Sequence, residues 1–486
     1  MVMARRRAGF WDRLSAKPVL VAMFLFCALP AGMLMALLTP AGQVPDEPNH
    51  LARAAGLLRG EVLIIHRIHI NPETGVPHFG PSAKVDTGLM AAAHGHTTMS
   101  GDVHKVFLSD LWTMTHMPPD HTPRYVGIPN TATYFPTAYL PAAIGLGLGM
   151  AAHLGPFYCF LLARLFMLAA FLALGAAAIA LAEYGAALLL ALLILPMTLF
   201  LAGSVSEDGV LIAAACLAAA LFTADPLEHP GRRIGGVLVL VLVLACKPPY
   251  APLLGLALLP LFGPGLWRRA GHAVAAAVPV LLWLALVLHF TAVPFSKPPY
   301  PPGPLWTGDP KIIFDSTDAS ANLHILLADP IRFFTLPWHT FTAIYAEELH
   351  EMIGALGLMQ VRFGTDYYWL WGAALVLPLL ALAASWRGPV LQSAATALYV
   401  LLLLAAALWA VELSMYLNWT AVGGYYVEGF QGRYLLLLLP FLIQALPPGR
   451  AARRLPAIIP ALPALALGIA DLAILPMKLV TFFYLH

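Results

Sequence analysis

Apolar runs of about twenty residues recur from Pro18 almost to the C-terminal end, and no other feature restricts the fold of this chain so strongly. A helix needs ~20 residues to cross the ~30 Å hydrocarbon core of a bilayer. In lipid each such segment must satisfy its own backbone hydrogen bonds, which favours helices. Of the 486 residues 60% are hydrophobic and 11% charged, under half the charged fraction of a soluble domain. The expected class is all-α: a polytopic integral membrane protein. A net charge of +2, with the positive residues in short clusters beside apolar runs, points away from nucleic acid. The four cysteines (Cys27, Cys159, Cys216 and Cys246) lie in or beside apolar segments without CxxC spacing and are expected to be packing residues.

Arginine clusters orient the chain. Arg5, Arg6, Arg7, Arg13 and Lys17 precede the apolar run Pro18 to Leu38, placing the N-terminus in the cytoplasm by the positive-inside rule. That run is long for a signal peptide and lacks a convincing small-x-small cleavage site. Arg232 with Arg233, Arg268 with Arg269, and Arg450 with Arg453 and Arg454 are also expected inside; Arg387 is a weaker marker. Parity then requires Tyr134 to His153, rich in Gly and Pro, to be interfacial or re-entrant. SVSEDG (Ser204 to Gly209) falls on the outer face, and two short helices turn there at KPPY (Lys247 to Tyr250). The expected plan has a cytoplasmic N-terminus (1–17), a first transmembrane helix (18–38) and a first outer loop with interfacial helices (39–156). A transmembrane core (157–290), a second outer segment (291–366) and C-terminal helices (367–486) complete about 11 crossings. The second outer segment opens with the stiff run SKPPYPPGPLW and carries an interfacial helix near Ile331 to Leu349.

Chemistry-bearing residues gather on the outer side of this plan. Asp46, Glu47, His50 and Arg53 fall within eight residues just after the first helix. A helix starting near Pro48 would place Asp46 or Glu47 at its N-terminal end, where the dipole favours carboxylate, with His50 and Arg53 on one face. A carboxylate here is a candidate general base toward a hydroxyl, and Arg53 a candidate phosphate partner; a simple N-cap with a solvated loop is the alternative. Glu207 and Asp208 sit between two apolar runs, where adjacent acids are costly unless solvated, paired or metal-bound; Ser204 or Ser206 would otherwise make an ordinary helix-starting turn. Lys247 has no acid near it in sequence and wants an anion, for which a lipid phosphate would serve, unless it snorkels to the interface. Arg433, with Glu428 and Gln431 at a helix mouth, is a candidate phosphate fork or an interfacial anchor. The first loop also carries His66, His69, His78, His94, His96, His104, His116 and His121, but only His94 and His96 are close and no HExxH occurs. The metal question therefore stays open, with a divalent cation as an option. No P-loop, Rossmann glycine pattern or GxSxG supports nucleotide or hydrolase chemistry.

The motif Pro45, Asp46, Glu47, His50 and Arg53 resembles a PDE-x-x-H-x-x-R pattern opening the first outer loop in a bacterial membrane-protein family of unknown function. The whole arrangement resembles the GT-C superfamily of membrane glycosyltransferases, and most closely that bacterial family, read as a branch of it. The likeness extends to SVSEDG, KPPY and GRY (Gly432 to Tyr434). The resemblance implies a polyprenyl-phosphate sugar donor used at the outer face, with Asp46 as base and Glu47 as its partner or substitute. Lys247 and Arg433 are then the implied phosphate binders; some relatives need a divalent metal and others do not. The expected activity is inverting sugar transfer to a glycan, lipid or protein acceptor of the cell envelope, in a bacterial cytoplasmic membrane. The alternatives are a transporter or flippase of lipid-linked sugars, for which KPPY supplies a broken helix without a matching second, and a surface-polysaccharide polymerase or ligase.

Overall fold

The computed structural model describes residues 15–70, 75–95, 105–262, 264–291, 317–385, 389–446 and 456–485. The arginines at 5, 6, 7, 13, 387, 450, 453 and 454, the run SKPPYPPGPLW, and His96 and His104 lie outside the described residues. Six described helices are long and apolar enough to cross a membrane: α1 (Lys17–Leu38), α6 (Pro156–Leu181), α11 (Leu266–Phe290), α14 (Thr365–Ala384), α15 (Val390–Asn418) and α17 (Ile458–Phe483). Proline breaks or shortens the other apolar runs. Leu195-Pro196 splits one of them into α7 (Ala186–Leu193) and α8 (Pro196–Ala202), because proline cannot donate to the preceding turn. Next come α9 (Asp208–Phe222) and α10 (Pro230–Cys246), then a 3-10 segment, Pro248–Leu258, that opens on Pro-Pro. The stretch after Gln431 is likewise 3-10 over Gly432–Leu437 and ends in the short α16 (Leu442–Ala445).

Backbone contacts sort the ends of these elements. Arg233, near the start of α10, donates to the carbonyls of Leu256 and Leu259, so the chain reverses at Lys247 and returns. Arg269 donates to the carbonyls of Leu258, Pro260 and Pro264 at the same end. Glu183, after α6, accepts from Arg232 there as well. The four inner-marker arginines 232, 233, 268 and 269 thus lie at the end opposite Lys247.

Residues between α1 and α6 form a cap over the Lys247 end. α2 (Glu47–Leu58) is followed by β1 (His66–Ile70), β2 (Pro77–Asp86), α3 (Thr87–His94), α4 (Leu108–Thr115) and β3 (Pro123–Gly127). The strands make an antiparallel sheet in the order β1-β2-β3, with His66 opposite Pro81 and Ser82 opposite Gly127. The all-α expectation is corrected here. Outside the hydrocarbon, water or cap groups can satisfy strand edges, and the alternation of HRIHI suits a sheet with one face covered. The stretch from Tyr134 forms a 3-10 turn (Pro136–Tyr139) and α5 (Leu140–Ala151). It packs antiparallel on α6, closely enough that a Cβ at Gly145 would lie 2.6 Å from the Leu162 carbonyl oxygen. The two glycines Gly145 and Gly149, one turn apart, admit this approach. The chain then enters α6 at Pro156, beside Gly88 and Asp120 of the cap, so it leaves the 134–153 stretch on the side from which it entered.

Two helices complete the second half of the cap side, α12 (Ala319–Ala328) and α13 (Pro330–Gly354). α13 leaves Ile331, Phe334, Trp338 and Phe341 exposed, spaced three or four apart as one apolar face. Its other face holds the 419–431 loop: Arg332 donates to the carbonyls of Gly423 and Gly424, and Thr340 accepts from Val427 N.

Candidate functional site

The site starts where α1 hands over to α2. Asp46 is the N-cap of α2, with a left-handed backbone at φ 60°, a conformation non-glycine residues adopt at a cost and which clusters at functional positions. Its side chain is exposed and accepts from Asn130 Nδ2 at 2.6 Å; Asn130 in turn accepts from Asn49 Nδ2 at 2.8 Å. One residue on, Glu47 is fully buried. Arg164 of α6 forks onto it, Nε to Oε1 at 2.8 Å and Nη2 to Oε2 at 2.6 Å, and Val205 N donates to Oε1 at 3.0 Å. Arg164 also donates to the carbonyls of Ala36 and Thr39, so Glu47 is a structural counter-charge with no free acceptor facing solvent. Arg53 is committed through its two terminal nitrogens, while its Nε is left without a partner. It is fully buried and donates to the carbonyls of Glu61, Val62 and Tyr134, holding the exit of α2.

His50, Glu207, Asp208, Lys247 and Arg433 come together as one buried cluster. His50 Nδ1 lies 2.8 Å from Glu207 Oε2 and from the Tyr139 hydroxyl, which itself donates to Glu207 Oε2 at 2.9 Å. Lys247 Nζ reaches Glu207 Oε1 at 2.8 Å and Asp208 Oδ1 at 3.1 Å, and stands 4.1 Å above the centre of the Tyr134 ring. The anions that Lys247 needs are therefore the acids of SVSEDG, brought beside it by the turns at both helix ends. Arg433 Nη1 is 3.7 Å from Asp208 Oδ2, beyond hydrogen-bond reach, and Arg433 Nε and Nη1 are buried without an acceptor. The exposed Asp46 carboxylate lies within electrostatic reach of both His50 and Arg433. Burial works against a charged His50 ring, but the Glu207 charge and hydrogen bond outweigh it and hold the imidazole above its ordinary value.

Serines shape the acidic turn. Ser204 Oγ accepts from Ser206 N and donates to the Leu201 carbonyl, and Ser206 Oγ accepts from Asp208 N. Ser206 thus takes the helix-starting place that the sequence offers, and the same turn carries Glu207 and Asp208 to Lys247. From the other side, Arg433 is set by Glu351 of α13, which accepts from Gly432 N at 2.8 Å. Glu428, grouped with Arg433 in sequence, accepts instead from Ala421 N within its own loop.

Tyr139, Asn130, Arg164 and Glu351 complete the site and carry little sequence signal, with one exception. A lone arginine inside the apolar run of α6 is costly in a membrane and asks for a buried acid. His66 meets the Thr291 carbonyl, His69 meets Ser82, and His121 meets Asp86. Among the described residues no group of three or more His, Cys, Asp or Glu is placed to hold a metal ion.

Six long apolar helices, capped at one end over a buried cluster of opposed charges, define a polytopic membrane protein with a polar site at one helix-bundle mouth. The profile of the family described as "Predicted membrane protein (DUF2142)" matches residues 29–442. The chain belongs to that family. The match takes in every residue of the cluster, from Asp46 to Arg433, and stops before α17. No curated protein and no solved structure matches the chain.

Proposed function

We propose that this protein is an inverting glycosyltransferase of GT-C type. It would move a sugar from a polyprenyl-phosphate carrier to a cell-envelope acceptor on the outer face of a bacterial cytoplasmic membrane. One observation carries this reading: four motifs spread from Asp46 to Arg433 converge on a single polar cluster at the end opposite Arg233 and Arg269. Counting the broken segments (α7 with α8, α9, α10, Pro248–Leu258 and Gly432–Ala445) as crossings beside the six long helices supports the expected eleven.

The residues divide the work. The acceptor hydroxyl oxygen attacks the anomeric carbon while its proton passes to Asp46, the carboxylate with an open face. The anomeric carbon–oxygen bond breaks, and its electron pair leaves on the lipid phosphate. Arg433, with Nε and Nη1 unspent, receives the charge that grows on that phosphate. Lys247 is already shared by Glu207 and Asp208, so it tunes and positions the acids and adds field to the phosphate at longer range. His50 and Tyr139 fix Glu207 from the opposite side.

The test is purified full-length protein incubated with a panel of radiolabelled polyprenyl-phosphate sugars and membrane extract. Labelled product that disappears in Asp46→Asn, with membrane insertion unchanged, is the expected result. Wild-type turnover in that variant removes the base. Transfer of intact lipid-sugar across vesicles without bond cleavage replaces the reading with a flippase, and growth of labelled polymer identifies a polymerase or ligase.

A further inference from the structure

A cavity of about 280 Å³ opens beside the cap, apart from the charged cluster. Its walls come from the cap end of α1 (Ala36, Leu37, Thr39), the start of α6 (Phe157, Phe160, Leu161), Leu111 and Met114 of α4, and Tyr484 after α17. Three observations bear on what fills it. First, Phe26, Leu29, Met33 and Leu37 are exposed along α1, a stripe at helical spacing on a membrane-spanning element, hence a lipid-facing one. That stripe ends at the cavity mouth, where Leu37 is both exposed and part of the wall. Second, α4, which gives Leu111 and Met114 to the wall, leaves Leu108 and Trp112 exposed, Leu108 at 85%, as a helix does when it rests in the headgroup boundary. Third, Thr39 is a wall residue whose buried Oγ1 has no hydrogen-bond partner, which is costly unless something polar reaches it. The volume lies at the lower end of small-molecule pockets, room for one alkyl chain.

We infer that this cavity is a phospholipid site: one acyl chain of a membrane glycerophospholipid enters sideways between α1, α4 and α6, and its ester carbonyl accepts from Thr39 Oγ1. Arg164 lines the same cavity and holds Glu47 and the Thr39 carbonyl. A seated chain therefore keeps water from the ion pair on which α2 rests. The inference is independent of whether the charged cluster transfers sugar.

The probe is a phosphatidylglycerol with a photoreactive acyl chain, reconstituted with the full-length protein, irradiated, digested and mapped by mass spectrometry. Labelling is expected to concentrate on residues 36–41, 111–115 and 157–164, several-fold above the outward face of α11 at Leu281, Leu282 and Leu288. Leu37→Trp and Leu111→Trp, which narrow the mouth from opposite walls, should each remove that excess. Thr39→Val, which keeps the shape and loses the hydroxyl, should reduce it several-fold, with the thermal midpoint of each variant reporting that the fold survives. Labelling no higher than on α11, excess labelling that persists in both tryptophan variants, or displacement by polyprenyl phosphate and not by unlabelled phosphatidylglycerol would each overturn the assignment.

Discussion

Asp46 and Glu47 are neighbours in the chain and opposites in the structure: Asp46 is exposed at the rim of the charged cluster, whereas Glu47 is fully buried in the fork of Arg164. The two carboxylates therefore separate in experiment. Asp46→Asn keeps the shape of the N-cap and is expected to fold like the parent while losing transfer. Glu47→Gln leaves Arg164 buried without its counter-charge and is expected to cost about 3 to 5 kcal/mol, read as a lower thermal midpoint in detergent. Replacing both partners, Glu47→Leu with Arg164→Met, should lose less than the two single changes together, because no lone charge remains.

That contrast also marks how far the sequence carries. Charged side chains are conspicuous in a chain with so few, so Asp46, His50, Glu207, Asp208, Lys247 and Arg433 stand out, and counting crossings between arginine pairs puts them on one face. Spacing along one helix cannot say which neighbouring helix will face it. Asp46 is the left-handed N-cap and Glu47 the first helical residue, so their side chains leave the backbone in different directions, Glu47 to Arg164 and Asp46 to the rim. Lys247 has no acid near it in sequence because its acids are forty residues earlier on another turn. The β-sheet escapes an apolar-run reading altogether, since HRIHI and the strand from Pro77 to Asp86 are too polar and too short to register.

Arg433 keeps two guanidinium nitrogens without an acceptor at the charged cluster, and its variants should act on the donor. Arg433→Gln removes a charged fork and is expected to weaken donor binding by about 1.5 to 3 kcal/mol, roughly ten- to a hundredfold. Arg433→Lys keeps the charge and loses the planar fork, so it should recover part of that loss. Equal donor affinity in all three proteins, measured by lipid-sugar competition, would remove Arg433 from the phosphate role.

The C-terminal turn of α13 predicts a pH dependence. Glu348 is buried with Oε1 lacking a partner, and burial, helped by the Glu351 charge, pushes its carboxyl from an ordinary 4.5 up to about 7. Glu351 on the same helix and Glu412 on α15 are the charged groups that interact with it, and Arg433 acts on Glu351 in turn. Between those two values the folded protein holds a proton that the unfolded chain releases, so stability falls as pH rises from 4.5 through 7. The full effect is at most on the order of 3 kcal/mol. Glu348→Gln should flatten that part of the melting profile and raise the midpoint at pH 8, while leaving it little changed at pH 4.5.

Gly432 links this turn to the site. Its N–H donates to Glu351, and a Cβ there would collide with the Glu348 carbonyl. Gly432→Ala must therefore push the segment carrying Arg433 away from α13, lengthening a contact with Asp208 that already stands at 3.7 Å. Overpacking of this kind costs about 1 to 3 kcal/mol. Gly231→Ala is the control, since nothing lies within 4 Å of a Cβ at that position, on the opposite end of the molecule. The expected pattern is a lower thermal midpoint and weaker donor binding for Gly432→Ala, with neither change for Gly231→Ala. Glu351→Gln separates position from bulk: its side chain can still accept from Gly432 N, so it should preserve donor binding, whereas Glu351→Ala should weaken it in the manner of Gly432→Ala. Unchanged donor affinity in both Gly432→Ala and Glu351→Ala would show that Arg433 does not depend on α13 for its place.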